Sequence, residues 1–393
     1  PAATPPAHTP HPPRDQPAPP TGLSAPPPPT GPPPTPIYIE PNSVHHVNGA
    51  VEGTHRGGIH VHGYSPTTDS TATYNDVRIV NNRIDRVGGV GIGTDIDDLV
   101  DAHTFVGTSR PNAMTNLYVA HNWVGNTGRN SIIARDSDYA IYEYNTSANS
   151  SRYSHGNAIF NFRTLGIVFQ YNEAYGNTGD EDDIDRGAFD ADYNARDTIF
   201  QYNYSHGNHW FASIMKRPNT NVIYRYNLSV NDSFGGYHYG FEKATAARNI
   251  QVYNNTHYYG KTPAPAIIGP LLHRSPIETV FSNNIFYSVT PGTMGKMADK
   301  GRNVVYDTNV YFNFTPAATE KNALTADPQF VAPGDEPHDV DMKDGRHVLA
   351  GYRLSPDSPY HDAGVIIEDN GGMDFWGNPV PAESRSIGAG VEE

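Results

Sequence analysis

Two aspartates, Asp190 and Asp192, are the residues whose type and spacing most directly suggest chemistry. They occur in the segment Phe189-Asp190-Ala191-Asp192, and residues two apart on a β-strand project from the same face. Phe189 and Ala191 would then point into the core, and both carboxyl groups would point outward. Side chains at this spacing stand roughly 6–7 Å apart, near the separation at which an inverting glycosidase fits a water. The pair therefore predicts general acid and general base catalysis.

The residues before this pair make the region the most acidic in the chain. Asp182, Asp183 and Asp185 lie in a glycine-flanked turn, and Glu173 follows an asparagine further upstream. Carboxyl groups this close together must be solvated, protonated or bound to a metal ion, since their mutual repulsion is otherwise destabilising. The same repulsion raises the pKa of one of them, as a general acid requires. Asp183 is accordingly a third candidate for a catalytic carboxyl group.

Basic and aromatic residues flank the acids on both sides. Lys216 and Arg217 follow them and are candidate catalytic residues, while Arg129, Arg135, His155 and Arg163 precede them. Residues from neighbouring units of a stack can project onto one face, since adjacent strands are about 4.8 Å apart. Aromatic rings near such a site can stack on sugar rings. The predicted substrate-binding residues are Glu173, Arg186, His206, Trp210, Tyr204 and Tyr239.

A repeated pattern supplies the elements that would position these residues. Short runs rich in Val, Ile, Phe and Tyr each end in asparagine, at intervals of 23 to 40 residues. Runs this short and β-branched are typical of strands, and a period in this range indicates stacked units. The asparagines could form a ladder of side-chain amides and adopt the left-handed conformation of a tight turn. They are Asn82, Asn122, Asn145, Asn172, Asn203, Asn227, Asn255, Asn284 and Asn309.

Composition excludes several classes of protein. The chain has 393 residues, a formal net charge of -15 and no cysteine. This charge argues against nucleic acid or anionic lipid as a partner, and the lack of cysteine rules out disulfides and thiolate metal sites. No apolar run is long enough for a membrane-spanning helix. Residues 1–36 contain 17 of the 34 prolines, which predicts a disordered linker to a further module and favours a secreted or cell-surface protein.

Two further candidate sites precede the acid cluster. His60 and His62 would share one strand face as a possible metal-binding pair, with His55 nearby. The sequence shows no evident carboxylate as a third ligand, so surface or ladder histidines are the simpler interpretation. The long interval between Thr94 and Asn116 predicts a loop that shapes a groove. Its acids are either solvated charges or a second site: Asp95, Asp97, Asp98 and Asp101.

The asparagine-ending repeat resembles the single-stranded, right-handed parallel β-helix of the pectate-lyase-like superfamily. Four C-terminal stretches resemble the ending of many carbohydrate-active members: ADPQF at 326–330, YRLSPDSPYHDAG at 352–364, DFWGNPVP at 374–381 and SIGAG at 386–390. The resemblance implies an all-β solenoid of about nine or ten coils over residues 37–323. An irregular C-terminal cap over residues 324–393 would complete it. We expect a monomer that binds a polysaccharide.

The resemblance leaves three functions open. The segment DDIDRGAFDAD is similar to the aspartate-rich turn of calcium-dependent pectate lyases, which implies Asp182, Asp183 and Asp185 as Ca²⁺ ligands and Lys216 as the base. Its carboxyl density also resembles hydrolases of this fold that use paired aspartates. Elimination needs a cation to neutralise a uronate, whereas hydrolysis of a neutral glycan needs only one protonated and one ionised carboxyl group and no cofactor. We therefore expect a glycoside hydrolase, with a lyase or a non-catalytic adhesin as alternatives.

Overall fold

The computed structural model describes residues 36–65, 67, 73–97, 112–177, 179, 185–215, 219–240, 247–269 and 275–391. These residues form 31 β-strands, numbered β1 to β31 along the chain, and two short 3₁₀ helices at Ala298–Lys300 and Arg346–Tyr352. Neighbouring strands run parallel in all three sheets. Among the described residues, no helix is both long and apolar enough to cross a membrane.

The three sheets share the strands in rotation. The first sheet contains β1 Ile37–Ile39, β4 Tyr74–Asn75, β5 Val77–Val80, β8 Met114–Thr115, β9 Tyr118–Ala120, β12 Ser137–Asp138, β13 Ile141–Glu143, β16 Thr164–Leu165, β17 Val168–Gln170, β20 Ala195–Gln201, β23 Thr220–Arg225, β26 Arg248–Tyr253, β28 Thr279–Ser282 and β30 Val305–Asp307. The second sheet contains β2 Ser43–Val47, β6 Arg83–Val87, β10 Trp123–Gly125, β14 Thr146–Ala148, β18 Glu173–Tyr175, β21 Tyr204–His206, β24 Leu228–Val230, β27 Thr256–Tyr259, β29 Ile285–Thr293 and β31 Val310–Thr315. The third sheet contains β3 Gly57–Tyr64, β7 Val90–Asp97, β11 Ile132–Arg135, β15 Ile159–Phe162, β19 Gly187–Ala191, β22 Trp210–Ile214 and β25 Gly235–Tyr239.

One continuous apolar core lies between the sheets. Strand alternation builds it: in β5 the side chains of Val77 and Ile79 are fully buried, whereas Arg78 and Val80 are half-buried on the other face. The same core cluster extends along the stack from Ile59 to Ala317. The prediction of an all-β parallel solenoid is confirmed.

The predicted asparagine ladder is present at all nine positions. Each ladder asparagine donates its Nδ2–H to the Oδ1 of the next, at 2.9 to 3.1 Å. Asn42 precedes the ladder, and the carboxylate of Glu320 accepts from Asn309 at its end. The amides also donate to backbone carbonyls, as Asn172 does to Tyr142. Buried side-chain amides are therefore hydrogen-bonded along the stack.

The left-handed corner falls one residue earlier than the sequence suggested. None of the nine ladder asparagines has a positive φ, but the residue before each has φ between 49° and 59°. The amide of each ladder asparagine must point along the stack to reach the next one. The left-handed turn therefore falls on the residue that precedes the asparagine. Tyr144, Tyr171 and Tyr202 occupy three successive corners, and their rings stack at 5.1 and 5.0 Å between centroids. Stacking offsets the cost of about 1–2 kcal/mol for a left-handed residue.

The C-terminal segment, residues 324–391, packs against the last coil and also along one side of the stack. Leu324 bridges to Val310 of the last strand, and the segment then packs along the outer face of the second sheet. Its apolar residues Val340, Leu349 and Phe375 join a cluster with that sheet. The predicted boundaries of linker, helix and cap stay a prediction, but the segment determines which sheet remains accessible.

Candidate active site

Strand β19 places the two aspartates as the alternation predicted. Phe189 and Ala191 are fully buried in the core cluster, and Asp190 and Asp192 lie on the opposite face. Asp190 is aligned with Phe160 of β15 and Ser213 of β22 in the parallel register. Asp192 directly follows the strand. The neighbouring coils therefore form the surroundings of both carboxyl groups.

A cavity of about 320 Å³ lies over this face of the third sheet. Three carboxyl groups line it, those of Asp185, Asp190 and Asp192, and basic side chains from earlier coils line it as well. Of the four basic residues expected on the face of the acids, Arg129, Arg135 and His155 line the cavity. Arg163 does not, because it is buried in an ion pair with Asp136. A second cavity of about 280 Å³ in the C-terminal segment has no carboxyl group in its lining, so we place the candidate active site in the first cavity.

Asp190 is not the solvent-facing acid that its position on the strand suggested. Only 2% of it is exposed, and Asn157 Nδ2 donates to its Oδ2 at 2.7 Å. Asn157 is itself fixed, because its Oδ1 accepts the backbone N–H of Gly187 at 2.7 Å and the hydroxyl of Ser213 at 3.4 Å. Asp190 Oδ1 has no hydrogen-bond partner among the described residues. Asp190 thus lies at the base of the cavity.

Asp192 is half-buried and therefore more accessible. Its Oδ1 accepts the backbone N–H of Tyr193 at 2.8 Å. Burial, together with the charge of Asp185, raises the pKa of Asp192 to about 7, against the opposing effects of the Tyr193 N–H and the Arg135 charge. Burial and the charges of Asp192 and Asp185 raise the pKa of Asp190 well above its ordinary value. The surroundings of the cavity thus favour the protonated form of both carboxyl groups.

The basic residues are held in place along the cavity wall. Arg135 donates from Nη1 to Thr54 Oγ1 at 2.9 Å, and its guanidinium lies 4.8 Å from the ring centroid of Phe162. Tyr193 meets the same Phe162 ring edge-on at 5.7 Å. Arg129 Nη2 lies 3.2 Å from His155 Nε2. The wall therefore combines fixed positive charge with half-buried aromatic surface.

Three predicted substrate-binding residues belong to a different sheet. Glu173, Tyr204 and His206 lie in β18 and β21 of the second sheet and are fully buried. His206 Nε2 is 2.9 Å from Glu173 Oε1, and the backbone N–H of Val340 donates to Glu173 Oε2 at 2.8 Å. The C-terminal segment covers all three. Their prediction as substrate contacts was wrong, because the C-terminal segment covers the face of the second sheet on which they lie.

The remaining predicted contacts lie in or beside the third sheet but are also buried. Trp210 is 2% exposed and stacks on His238 at 5.5 Å, and Tyr239 is 1% exposed in the core. Neither ring presents a face to solvent, which contradicts their prediction as sugar platforms. Arg186 is 5% exposed, with Nη2 3.2 Å from His209 Nε2. Burial and the Arg186 charge lower the pKa of His209 to about 3.

Other predictions fall on parts of the chain that the structure does not describe. These are the predicted ligands and catalytic residues Asp182, Asp183, Lys216 and Arg217, and the loop acids Asp98 and Asp101. Of the predicted Ca²⁺ ligands, only Asp185 belongs to the described residues, and it lines the cavity. The calcium hypothesis stays a prediction.

Sequence reasoning missed several residues of the cavity. Asn157 and Phe162 were not selected, although Asn157 holds Asp190 and the Phe162 ring forms part of the wall. Asn157 stands 33 residues before Asp190, so only the register between β15 and β19 brings them together. The spacing of the ladder asparagines could have identified Asn157, because this spacing determines which coils are adjacent.

The comparisons with known proteins agree with this architecture. No family model matches the chain. It is 28% identical, over 86% of its length, to lacto-N-biosidase of Bifidobacterium longum subsp. longum. The alignment covers 24% of that protein, so the chain spans about a quarter of the length of the curated relative that it matches.

Solved structures show the same fold at low identity. The complex of XylC with xylose has a TM-score of 0.50 at 13% identity and covers 85% of this chain and 64% of that one. GH136 lacto-N-biosidase from Eubacterium ramulus has a TM-score of 0.46 at 20% identity and covers 61% of this chain and 40% of that one. The parallel β-helix prediction is confirmed. The likeness to XylC concerns the fold and does not indicate a reaction.

Proposed function

We propose that this β-helix is the catalytic part of a glycoside hydrolase. The observation that carries the proposal is the half-buried Asp192, whose pKa is raised to about 7 beside two further carboxyl groups in one cavity. Glycosidases need one carboxyl group that stays protonated near neutral pH and one that is ionised. The similarity to a lacto-N-biosidase supports hydrolysis over elimination.

Asp192 is the general acid in this proposal. It transfers its proton to the glycosidic oxygen while the bond between that oxygen and the anomeric carbon breaks. Water supplies the hydroxyl group at the anomeric carbon, either directly or after a covalent glycosyl ester with the partner carboxylate. One product is a sugar with a free reducing end. The other is the remaining sugar, whose former glycosidic oxygen is now a hydroxyl group.

The partner carboxylate must be ionised and within reach of the sugar. Asp190 fits this role poorly, because it is 2% exposed and its pKa lies well above the ordinary value. Asp185 is half-buried, lines the same cavity and carries the charge that raises the pKa of the other two. We assign Asp185 as nucleophile or base, and Asp190 as a neutral group that positions Asn157 and the strand. The alternative is that Asp190 and Asp192 form the catalytic pair. Asp185→Asn should abolish turnover in our assignment, whereas Asp190→Asn should abolish it in the alternative.

The substrate follows from the cavity and from the relative. Tyr193 is half-buried next to Phe162, and it replaces the buried rings as the proposed surface for a sugar to stack on. A cavity that favours the protonated form of its carboxyl groups suits a neutral glycan. The name of the Bifidobacterium relative indicates release of lacto-N-biose, so we propose a lacto-N-biose-terminated glycan as the substrate class. The proposed reaction uses no cofactor. We also propose that the protein is secreted and monomeric.

The test is a set of assays on the purified chain. Chromogenic p-nitrophenyl lacto-N-bioside, neutral polysaccharides and uronate polysaccharides are each incubated with the wild type and with Asp192→Asn. Release of reducing ends that withstands EDTA and is lost in Asp192→Asn supports hydrolysis. Ultraviolet absorbance from a new C4–C5 double bond, abolished by EDTA, would support the lyase instead. Binding without cleavage would support the adhesin.

A further inference from the structure

His55, His62 and Asp95 form a compact group outside the carboxyl cavity. The proposed function does not use them. One ligand atom of each lies within 4.8 Å of the others. His55 Nδ1 is 3.0 Å and His62 Nδ1 is 3.3 Å from the same oxygen, Asp95 Oδ2. Two imidazoles therefore converge on one carboxylate oxygen.

The fold explains why these three residues meet. His62 of β3 and Asp95 of β7 are direct partners in the parallel register of the third sheet. His55 lies in the loop between β2 and β3, and this loop is fixed where the backbone N–H of Val90 donates to the carbonyl of Arg56 at 2.8 Å. His60, which the sequence paired with His62, is not part of the group. The missing third ligand in the sequence interpretation was Asp95, which comes from the next coil.

We propose that His55, His62 and Asp95 bind a divalent transition metal ion, with Zn²⁺ as the best match. Two imidazole nitrogens and one carboxylate oxygen are a common three-ligand set for zinc, at about 2.0–2.2 Å from the metal. The edges of a tetrahedron of that size are roughly 3.3–3.6 Å long. The two distances to Asp95 Oδ2, 3.0 and 3.3 Å, approach such edges. The three ligand atoms lie within 4.8 Å of one another, so binding requires the two imidazoles to draw together around the ion.

The surroundings of the group have two further features of metal sites. The other oxygen of Asp95 lies 3.1 Å from Arg135 Nε, an ion pair without hydrogen-bond geometry that places a charged partner behind the carboxylate, where metal sites have their outer shell. The side chains of His55 and His62 are 49% and 44% exposed. Metal ions can therefore enter from solvent, and a water molecule can complete the coordination.

Binding would connect the first coil to the wall of the cavity. Thr54 precedes His55 and accepts a hydrogen bond from Arg135, and both Thr54 and Arg135 line the cavity. A bound ion would hold the loop and β3 against β7. Because the unfolded chain does not assemble these ligands, the ion also stabilises the folded state.

The test uses the full chain after treatment with a chelator. Zn²⁺ is titrated by calorimetry, Co²⁺ is added as a spectroscopic probe, and thermal unfolding is followed with and without Zn²⁺. We expect one ion per chain, a visible Co²⁺ spectrum of a four-coordinate site, and a higher unfolding temperature with Zn²⁺. His55→Ala and His62→Ala should each weaken binding at least about tenfold.

His45→Ala is the matched control. His45 is an exposed histidine of the same first coil, and its Nδ1 lies 3.0 Å from that of His46, so it reports adventitious binding to a histidine pair. Circular dichroism verifies that each variant is folded. Absence of Zn²⁺ binding, binding that survives both His55→Ala and His62→Ala, or binding that His45→Ala removes would each overturn the proposal. None of these outcomes depends on hydrolysis.

Discussion

The outer faces of the second and third sheets carry similar residues but differ in accessibility. On the second sheet, Glu173 and His206 are fully buried under the C-terminal segment. On the third sheet, Asp185 and Asp192 are half-buried and line a cavity. Acids, histidines and tyrosines thus occur on both faces. Whether the tail covers them decides which group can meet a substrate.

The charge arrangement differs between the two faces as well. On the covered face, burial opposes ionisation of Glu336, but hydrogen bonds from His206 and Lys261 outweigh it and lower the pKa of Glu336 to about 2. On the open face, burial and neighbouring carboxylates act in the same direction and raise the pKa of Asp192. Burial raises the pKa of Glu173 on the covered face as well, against the hydrogen bond from His206. A raised pKa therefore suggests a proton donor only where, as at Asp192, the carboxyl group also lines an accessible cavity.

The largest effect expected on the open face is that of Asp192→Asn. Loss of the general acid should lower kcat by about 10²–10⁴-fold for a substrate with a poor leaving group, because the glycosidic oxygen then leaves unprotonated. Initial rates of reducing-end release measure it. Asp197→Asn is the control, since Asp197 lies outside the cavity, accepts a hydrogen bond from Asn221 and has a left-handed φ of 48° that asparagine tolerates. Equal losses in both variants would contradict the assignment.

The corresponding change on the covered face is Glu173→Ala, which should reduce stability instead of catalysis. It leaves His206 and the N–H of Val340 without their buried partner, and breaking a buried pair costs about 3–5 kcal/mol. Urea unfolding measures the loss, and kcat of the folded fraction should stay near the wild-type value. Glu383→Ala, at an exposed position, should leave the unfolding midpoint unchanged. A selective loss of kcat in Glu173→Ala would place Glu173 in the catalytic machinery.

This comparison also explains how far the sequence could be interpreted. The repeat predicted the fold and all nine ladder positions, because the strand period and the amide ladder are local properties. Alternation within β19 correctly oriented Asp190 and Asp192. It failed for Trp210 and Tyr204, because their burial depends on the loops and tail that pack over the sheets. No local pattern contains that long-range contact.

The pH dependence of the reaction sharpens the contrast between the two faces. Because Asp192 must carry a proton, kcat/KM should fall as pH rises through about 7, approaching tenfold per unit above that value. A profile of kcat/KM over roughly pH 4 to 9 measures this limb. Unfolding controls at each pH separate it from loss of structure. A limb near pH 4, the ordinary range of an aspartate, would contradict the role of Asp192.

The smallest predicted effect concerns the charge beside Asp192. The positive charge of Arg135 favours the ionised form of Asp192 and so holds its pKa lower than burial and Asp185 alone would. In Arg135→Gln the pKa should rise, and the alkaline limb should move up by less than about one pH unit. Arg129→Gln changes the same number of charges in the same cavity, but Arg129 is next to His155 and should leave the limb in place. An equal shift in both variants would indicate a general charge effect, and a downward shift in Arg135→Gln would mean that another group controls the limb.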